Sequence, residues 1–483
     1  VELRSKNSRS NRERTRTEFR PRPSTAATVT VAACRTQVLA DATKADTPKT
    51  PPTYVGGVLD FDGLEYDENY MLRTVDYLII GNGIAGMTAA ETIRESDANA
   101  SIVIVTEEAH PLYSRVLLPN YVNGVIPRAR VFLRTEEHYT AKKIELQRGI
   151  AATHLDTADR TLHLADRHGF RFKKLLIASG GSPRLLESIP AGIKGVSRFQ
   201  TIDDADRMLS LLPHVKRGLV VGGSFIALEF LEILFQAHVS TALLFSGSHF
   251  FADHIDIQGS KLLEENFRKH GVNPIIPNDS LVGIEGKEAI RAAKTESGRE
   301  IECDFLGVGI GIQRNIDWLR TSDLQLTGRG ILANQFLETS VPGIFTAGDV
   351  SDFYDEITRN HHNHGNWSNA FLQGKQAGWN MVHPSEVQPF RNVPFYSITN
   401  LGMNIIFVGQ TRHEKNVETI VRYIPGDKKY ACFSFAFHRL VGAVLINSAV
   451  DKPAVTALIG RAVDLGAHQE QFRDPAFALG SLL

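Results

Sequence analysis

The sequence predicts an α/β protein with two dinucleotide-binding domains and a small α+β domain at its C-terminal end. Three observations carry this. "VDYLIIGNGIAGMTAAETIRES" reads as a buried apolar strand, a glycine turn and a helix. "RGLVVGGSFIALEFLEILFQAHVSTALLF" repeats that order about 140 residues later and adds the following strand. The tail from about residue 386 alternates strands and turns before a single helix, "KPAVTALIGRAVDLG".

Bulk properties limit the function classes. A chain of 483 residues, 42% of them hydrophobic, can fill several separate cores, and its formal net charge of -1 lacks the basic excess of a nucleic-acid binder. The three cysteines, Cys34, Cys303 and Cys432, are far apart, which argues against a disulfide scaffold, a zinc ribbon or an iron–sulfur site. No apolar run approaches the roughly 18 residues of a membrane span, so the expectation is a cytoplasmic protein. Residues 1–70 are rich in Arg, Ser and Thr and include "ADTPKTPPT", the composition of a disordered leader. A transit peptide, and with it an organellar location, is the alternative, against which Glu2, Glu13 and Glu18 count.

The first unit has the G-x-G-x-x-G order. Gly81 allows the tight turn, Gly83 lets backbone approach a pyrophosphate, and Gly86 lets the helix pack on the strand, with Ala85 on the same turn. The helix N-terminus then offers free N–H groups to phosphates. The next strand, "SIVIVTEE", ends in acids a little beyond the spacing expected for a ribose-binding carboxylate, and Glu107 is the candidate. In the second unit Gly222 and Gly223 are followed by Ser224, where the second glycine of the pattern belongs, and Ala227 takes the third position. After "TALLF" no acid follows, which leaves Ser246 or His249 for a ribose or its phosphate. Two nucleotide units suggest electron transfer between their ligands.

From about Leu72 onward the chain resembles the FAD-dependent pyridine nucleotide–disulfide oxidoreductase superfamily, and within it the NADH:rubredoxin reductase and nitrite-reductase flavin-module branch. The pieces that carry the resemblance occur in the family's order: "IIGNGIAGMTAAETIR", "YSRVLLPNYVNG", "FKKLLIASGGSP", "VVGGSFIALEF", "GVGIGIQRN" and "TSVPGIFTAGDV". It implies FAD on the first unit and NADH or NADPH on the second. It implies that Asp349, after Gly348, binds the ribityl chain, that Gly180 lies in the crossover beside the flavin, that Ala152 touches adenine through its backbone, and that Arg115 contacts the flavin. For the second nucleotide it implies Phe225, Ile226 and Gly311 beside the turn, with Glu229 near the nicotinamide. Pro119 stands where the ferredoxin-reductase branch often has lysine, and Arg314 where the family usually has proline. The implied division is 71–190 for the first part of the FAD domain, 191–305 for the NAD(P) domain, 306–385 for the second part of the FAD domain, and 386–483 for the C-terminal domain.

What is missing decides the chemistry. "YSRVLLPN" carries no thiol where disulfide reductases and thiol-based peroxidases of the superfamily need one, so dithiol and sulfenic-acid routes are unsupported. Electrons arriving as hydride would leave to a small iron-containing redox protein or a partner subunit, with oxygen or a quinone as other acceptors. Ser224 and the missing ribose acid keep open a second reading, a non-catalytic FAD-stabilised binding or assembly subunit.

Two further stretches carry expectations. His361, His362 and His364 read as a polar loop near the flavin rather than a metal site, with His364, Asn366 and Trp367 beside the ring. Phe433, Phe435 and Phe437 alternate along one strand and are expected to face the C-terminal domain's own core, the other reading being an interface such as a homodimer contact.

Overall fold

The structure, a computed structural model, describes residues 71–184, 186–413 and 415–483. The leader expected over residues 1–70, and Cys34 with it, lies outside the described residues.

The first sheet has seven strands. Its centre is the parallel pair Met71–Ile80 and His168–Ile177, flanked by Ile102–Thr106 and Ile144–Arg148 on one side. Leu78, Ile79 and Ile80 are buried, as a strand covered on both faces requires. Ile344–Thr346 returns from far along the chain to pair in parallel with His168–Ile177. The first domain is therefore built from two separated stretches of sequence.

Between those stretches lies a five-stranded parallel sheet, in the order Val272–Ile276, Ser240–Leu244, Arg217–Val221, Phe305–Val308 and Val196–Ser197. Phe305–Val308 pairs with Arg217–Val221, so the boundary expected between 305 and 306 runs through a strand of this second sheet. The second domain extends at least to Val308. The apolar run "FLGV" is buried throughout and reads alike in either sheet, so only strand pairing assigns it. The chain leaves and re-enters the first domain as an antiparallel ribbon, Gly181–Pro183 against Ile312–Arg314.

Two helices fix the first glycine turn. Helix Ile84–Ser96 follows the turn, and helix Trp367–Val382 crosses it at backbone contact. A Cβ on Gly374 would lie 2.2 Å from the Ala85 carbonyl oxygen, and one on Gly378 2.8 Å from that of Ala89. These positions tolerate no side chain. The approach holds the segment before the second helix, including Asp349, against the N-terminus of the first.

The C-terminal domain is a five-stranded antiparallel sheet with helix Lys452–Arg461 packed on it. Phe433 and Phe435 are buried and meet Phe472 edge-on at 5.0 and 5.1 Å. Phe437 departs from the expectation. It lies beyond the strand Lys429–Ala436 in the turn, at φ 51°, and is 85% exposed. The sheet also docks on helix Phe225–Gln236 of the second domain, where the Asn400 side chain donates to the Leu228 carbonyl at 2.7 Å and the Leu401 N–H to Glu232 at 2.6 Å.

Candidate cofactor sites

The three glycines of the first turn are required for different reasons. Gly81 has φ +104°, and a Cβ there would sit 2.2 Å from the Ala178 carbonyl oxygen. A Cβ on Gly86 would sit 2.0 Å from the Gly81 carbonyl oxygen. The fold itself demands both. At Gly83 a Cβ would meet nothing within 4 Å, so the glycine keeps a space open that no protein atom fills. The helix starts at Ile84, and its first-turn N–H groups, which lack intrahelical partners, face that end.

Gly348 closes the cradle from above. Its N–H donates to the Gln373 side chain at 2.7 Å, and a Cβ on it would lie 3.5 Å from the Ala85 methyl. Asp349 follows, its own carbonyl accepting from the Asn363 side chain at 2.7 Å. Burial raises the Asp349 carboxyl above its ordinary value, while the Arg115 and Arg314 guanidiniums pull it down. On the crossover, Gly180 has φ +68° and open space before it. Asn315 pins that crossover, donating from its backbone to Gly180 at 3.0 Å and from its side chain to Ser179 at 3.1 Å.

At the end of the strand Ile102–Thr106 the two acids separate. Glu107 is exposed at the rim, whereas Glu108 turns inward, pairs with Arg115 and accepts from the Tyr113 hydroxyl. Arg115 also donates to the Gln200 carbonyl at 2.8 Å, which fixes its guanidinium near Asp349. The sequence reading missed Glu108 and Tyr113. The signal was the doubled acid followed by "YSR", because only one of two adjacent acids after a strand can face inward. Ala152 is half-buried at the start of its strand, paired with Leu164. Pro119 lies in the short helix Leu118–Val122.

The second turn repeats the first with substitutions. Gly222 has φ +138°, and a Cβ there would lie 2.2 Å from the Gly309 carbonyl oxygen. Ser224 is exposed, with extended backbone, and its hydroxyl makes no capping bond to the helix that begins at Phe225. That hydroxyl is free to donate. The third position accepts Ala227 because the close approach here is made by Gly309, whose Cβ would lie 3.1 Å from the Ala227 nitrogen. Gly311 has φ +96° and opens on unfilled space, and Ile226 lies against Gly309.

Phe225 is half-buried, its ring 4.7 Å from those of both Tyr396 and Phe407, which belong to the C-terminal sheet. One helical turn on, Glu229 faces Tyr396, whose hydroxyl lies 3.4 Å from its carboxylate, and burial pushes its carboxyl up to about 7. Both ring nitrogens of His249 are occupied, by the Ser248 hydroxyl at 2.9 Å and the Ile255 carbonyl at 2.8 Å, while Ser246 is exposed.

His364 and Asn366 lie in the expected loop, between the strand Asn360–His362 and the helix that begins at Trp367. The His364 side chain is 5% exposed, stacked on His362 and 5.5 Å from the Phe353 ring, and burial pushes its imidazole down to about 3. Its side chain is covered within that loop. Asn366 caps the following helix, accepting from the Asn369 N–H at 2.8 Å, which leaves half-exposed Trp367, stacked on Phe371, as the ring that can face a ligand. Among the described residues no group of three His, Cys, Asp or Glu side chains is placed to hold a metal ion. Cys303 and Cys432 are buried, and burial pushes both thiols up to about 12, so neither supplies a thiolate near neutral pH.

An open glycine cradle, a helix N-terminus, a half-buried carboxylate and two guanidiniums fit a dinucleotide of FAD's kind in the first site. The second turn is open at Gly311 and at the exposed Ser224. Comparison with known proteins agrees. The chain is 27% identical over 408 residues to the NADH-dependent phenylglyoxylate dehydrogenase subunit epsilon of Aromatoleum evansii, covering 84% of this chain and 96% of that one. It is 22% identical to the assimilatory nitrate reductase electron transfer subunit of Bacillus subtilis, over 82% of this chain but only 51% of the relative. The fold matches a chain of the crystal structure of the covalent putidaredoxin reductase–putidaredoxin complex with a TM-score of 0.78 at 22% identity, over 84% of this chain and 98% of that one. The family model described as pyridine nucleotide-disulphide oxidoreductase matches residues 75–374, from the first strand to the helix that closes the first cradle. The chain belongs to that family of FAD- and NAD(P)H-dependent oxidoreductases.

Proposed function

We propose that this chain takes electrons from NADH or NADPH at the second turn and passes them, through FAD in the first cradle, to a small redox protein or partner subunit. The single observation that carries this is the pair of glycine cradles joined by one short ribbon, with no thiol placed between them among the described residues. Bound FAD would supply the step from two-electron to one-electron transfer. The protein's residues bind and orient. Gly83 and the N-terminus of helix Ile84–Ser96 hold the diphosphate, Asp349 the sugar hydroxyls, Glu107 the ribose at the rim, the Ala152 backbone the adenine, and Arg115 the flavin side. On the second turn Gly222, Gly223 and Ser224 take the nicotinamide nucleotide's diphosphate. Phe225, Ile226 and Gly311 shape that pocket, and Glu229 lies near the nicotinamide.

The printed names of two relatives support the acceptor class, one being an electron transfer subunit and the other a reductase held in complex with putidaredoxin. Among the described residues no helix is long and apolar enough to cross a membrane. Anaerobic addition of NADH or NADPH to the FAD-loaded protein is expected to bleach the flavin's visible absorption. Retained colour with both nucleotides would overturn this reading in favour of a flavin-stabilised assembly subunit. Ser224→Asp places a carboxylate where a phosphate must lie, and like-charge juxtaposition costs several kcal/mol, so KM for the nucleotide should rise by roughly tenfold or more. FAD content should not change, because Ser224 belongs to the other turn.

A further inference from the structure

Arg314 ends the ribbon strand Ile312–Arg314, directly opposite Gly181 and one residue before the asparagine that pins the flavin-side crossover. Its Nε is buried and makes no hydrogen bond among the described residues. The carboxylates it faces are Asp349 and Asp352, and both are shared. Asp352 is taken by Arg329, at 3.0 Å, and by the Thr327 hydroxyl at 2.7 Å, while Asp349 also faces Arg115. Arg184 and Arg412 add further positive charge on its other sides. A half-buried guanidinium with an idle donor is costly unless something anionic completes it. Gly180, on the crossover one residue from the Arg314 partner Gly181, opens on unfilled space.

We propose that Arg314 donates to the flavin ring and that its fixed charge makes the site bind reduced FAD more tightly than oxidised FAD. Hydride addition brings two electrons and one proton, so the ring gains one net negative charge, and Arg314 supplies the counter-charge already in place. Proline at this position would supply neither charge nor donor. The inference rests on the first cradle being the FAD site.

The test uses the full chain with Arg314→Gln and Arg314→Lys, each titrated to its flavin midpoint potential. The Gln variant is expected to bind oxidised FAD about as tightly as the parent but to lose roughly tenfold in its preference for reduced FAD, a fall of about 30 mV for a two-electron couple. The Lys variant keeps the charge and should fall by less. The FAD-free Gln variant should melt no lower than the parent, because the desolvation cost of the guanidinium goes with its attraction to Asp349 and Asp352, which Arg115 and Arg329 still face. An unchanged midpoint with FAD retained would refute the role of Arg314 alone. Lower stability of the FAD-free Gln variant with an unchanged midpoint would reduce Arg314 to a structural ion partner of Asp349. A parent chain that takes up no FAD would overturn the functional reading and this inference together.

Discussion

Gly83→Asp is expected to yield a folded, colourless protein. A Cβ at this position meets no protein atom within 4 Å, so the apoprotein should keep its melting temperature and circular dichroism. The added carboxylate, however, occupies the space where the diphosphate must sit against the helix N-terminus. Like charges in contact cost several kcal/mol, so FAD affinity should fall on the order of 10³-fold or more. Gly86→Ala makes the contrasting control. Its methyl would fall 2.0 Å from the Gly81 carbonyl oxygen, and the helix must move off the strand, so this variant should lose structure before it loses flavin specifically. The measurement is flavin content after desalting, set beside thermal unfolding of the FAD-free forms. A Gly83→Asp protein that purifies with a full complement of FAD would show that the cradle holds something other than the diphosphate.

That contrast also shows what the sequence can reveal. Strand, glycine turn and helix are local, so both glycine-turn units, and the need for Gly81 and Gly86 in the first, are legible from residue order. Pairing between distant strands is not local, which is why the boundary at 305 cuts a strand of the second sheet and why only the structure returns Ile344–Thr346 to the first. The same limit applies to side chains near the sites. Adjacent acids Glu107 and Glu108 look equivalent in sequence, yet the strand directs only the second to Arg115. His364 reads as a loop residue and lies in a loop, but the packing of its side chain on Phe353 is visible only in three dimensions. Phe437 follows the alternation of Phe433 and Phe435 but falls one step past the strand end, where the turn points it to solvent.

Glu229→Gln is expected to stabilise the protein above neutral pH and to leave its stability near pH 5 almost unchanged. Burial among Phe225, Tyr396 and the C-terminal sheet raises the Glu229 carboxyl to about 7, whereas in the unfolded chain it ionises near 4.5. The folded state therefore holds a proton that the unfolded state has lost. Stability contributed by this residue falls as pH rises from about 4.5 to about 7, and the cost is complete above that range. At 1.36 kcal/mol per pKa unit the full cost is about 3 kcal/mol, and the neutral glutamine avoids it while keeping the shape and a hydrogen-bond acceptor for Tyr396. Groups whose ionisation is common to both chains, such as His364, cancel in the difference. Urea unfolding of the FAD-free pair at pH 5 and pH 8 measures it, and a difference that stays flat across that interval would contradict a raised Glu229. On the proposed function this carboxyl lies near the nicotinamide. Reduction of the flavin by NADH or NADPH should accordingly show a pH dependence centred near 7 in the parent that is absent in the glutamine variant.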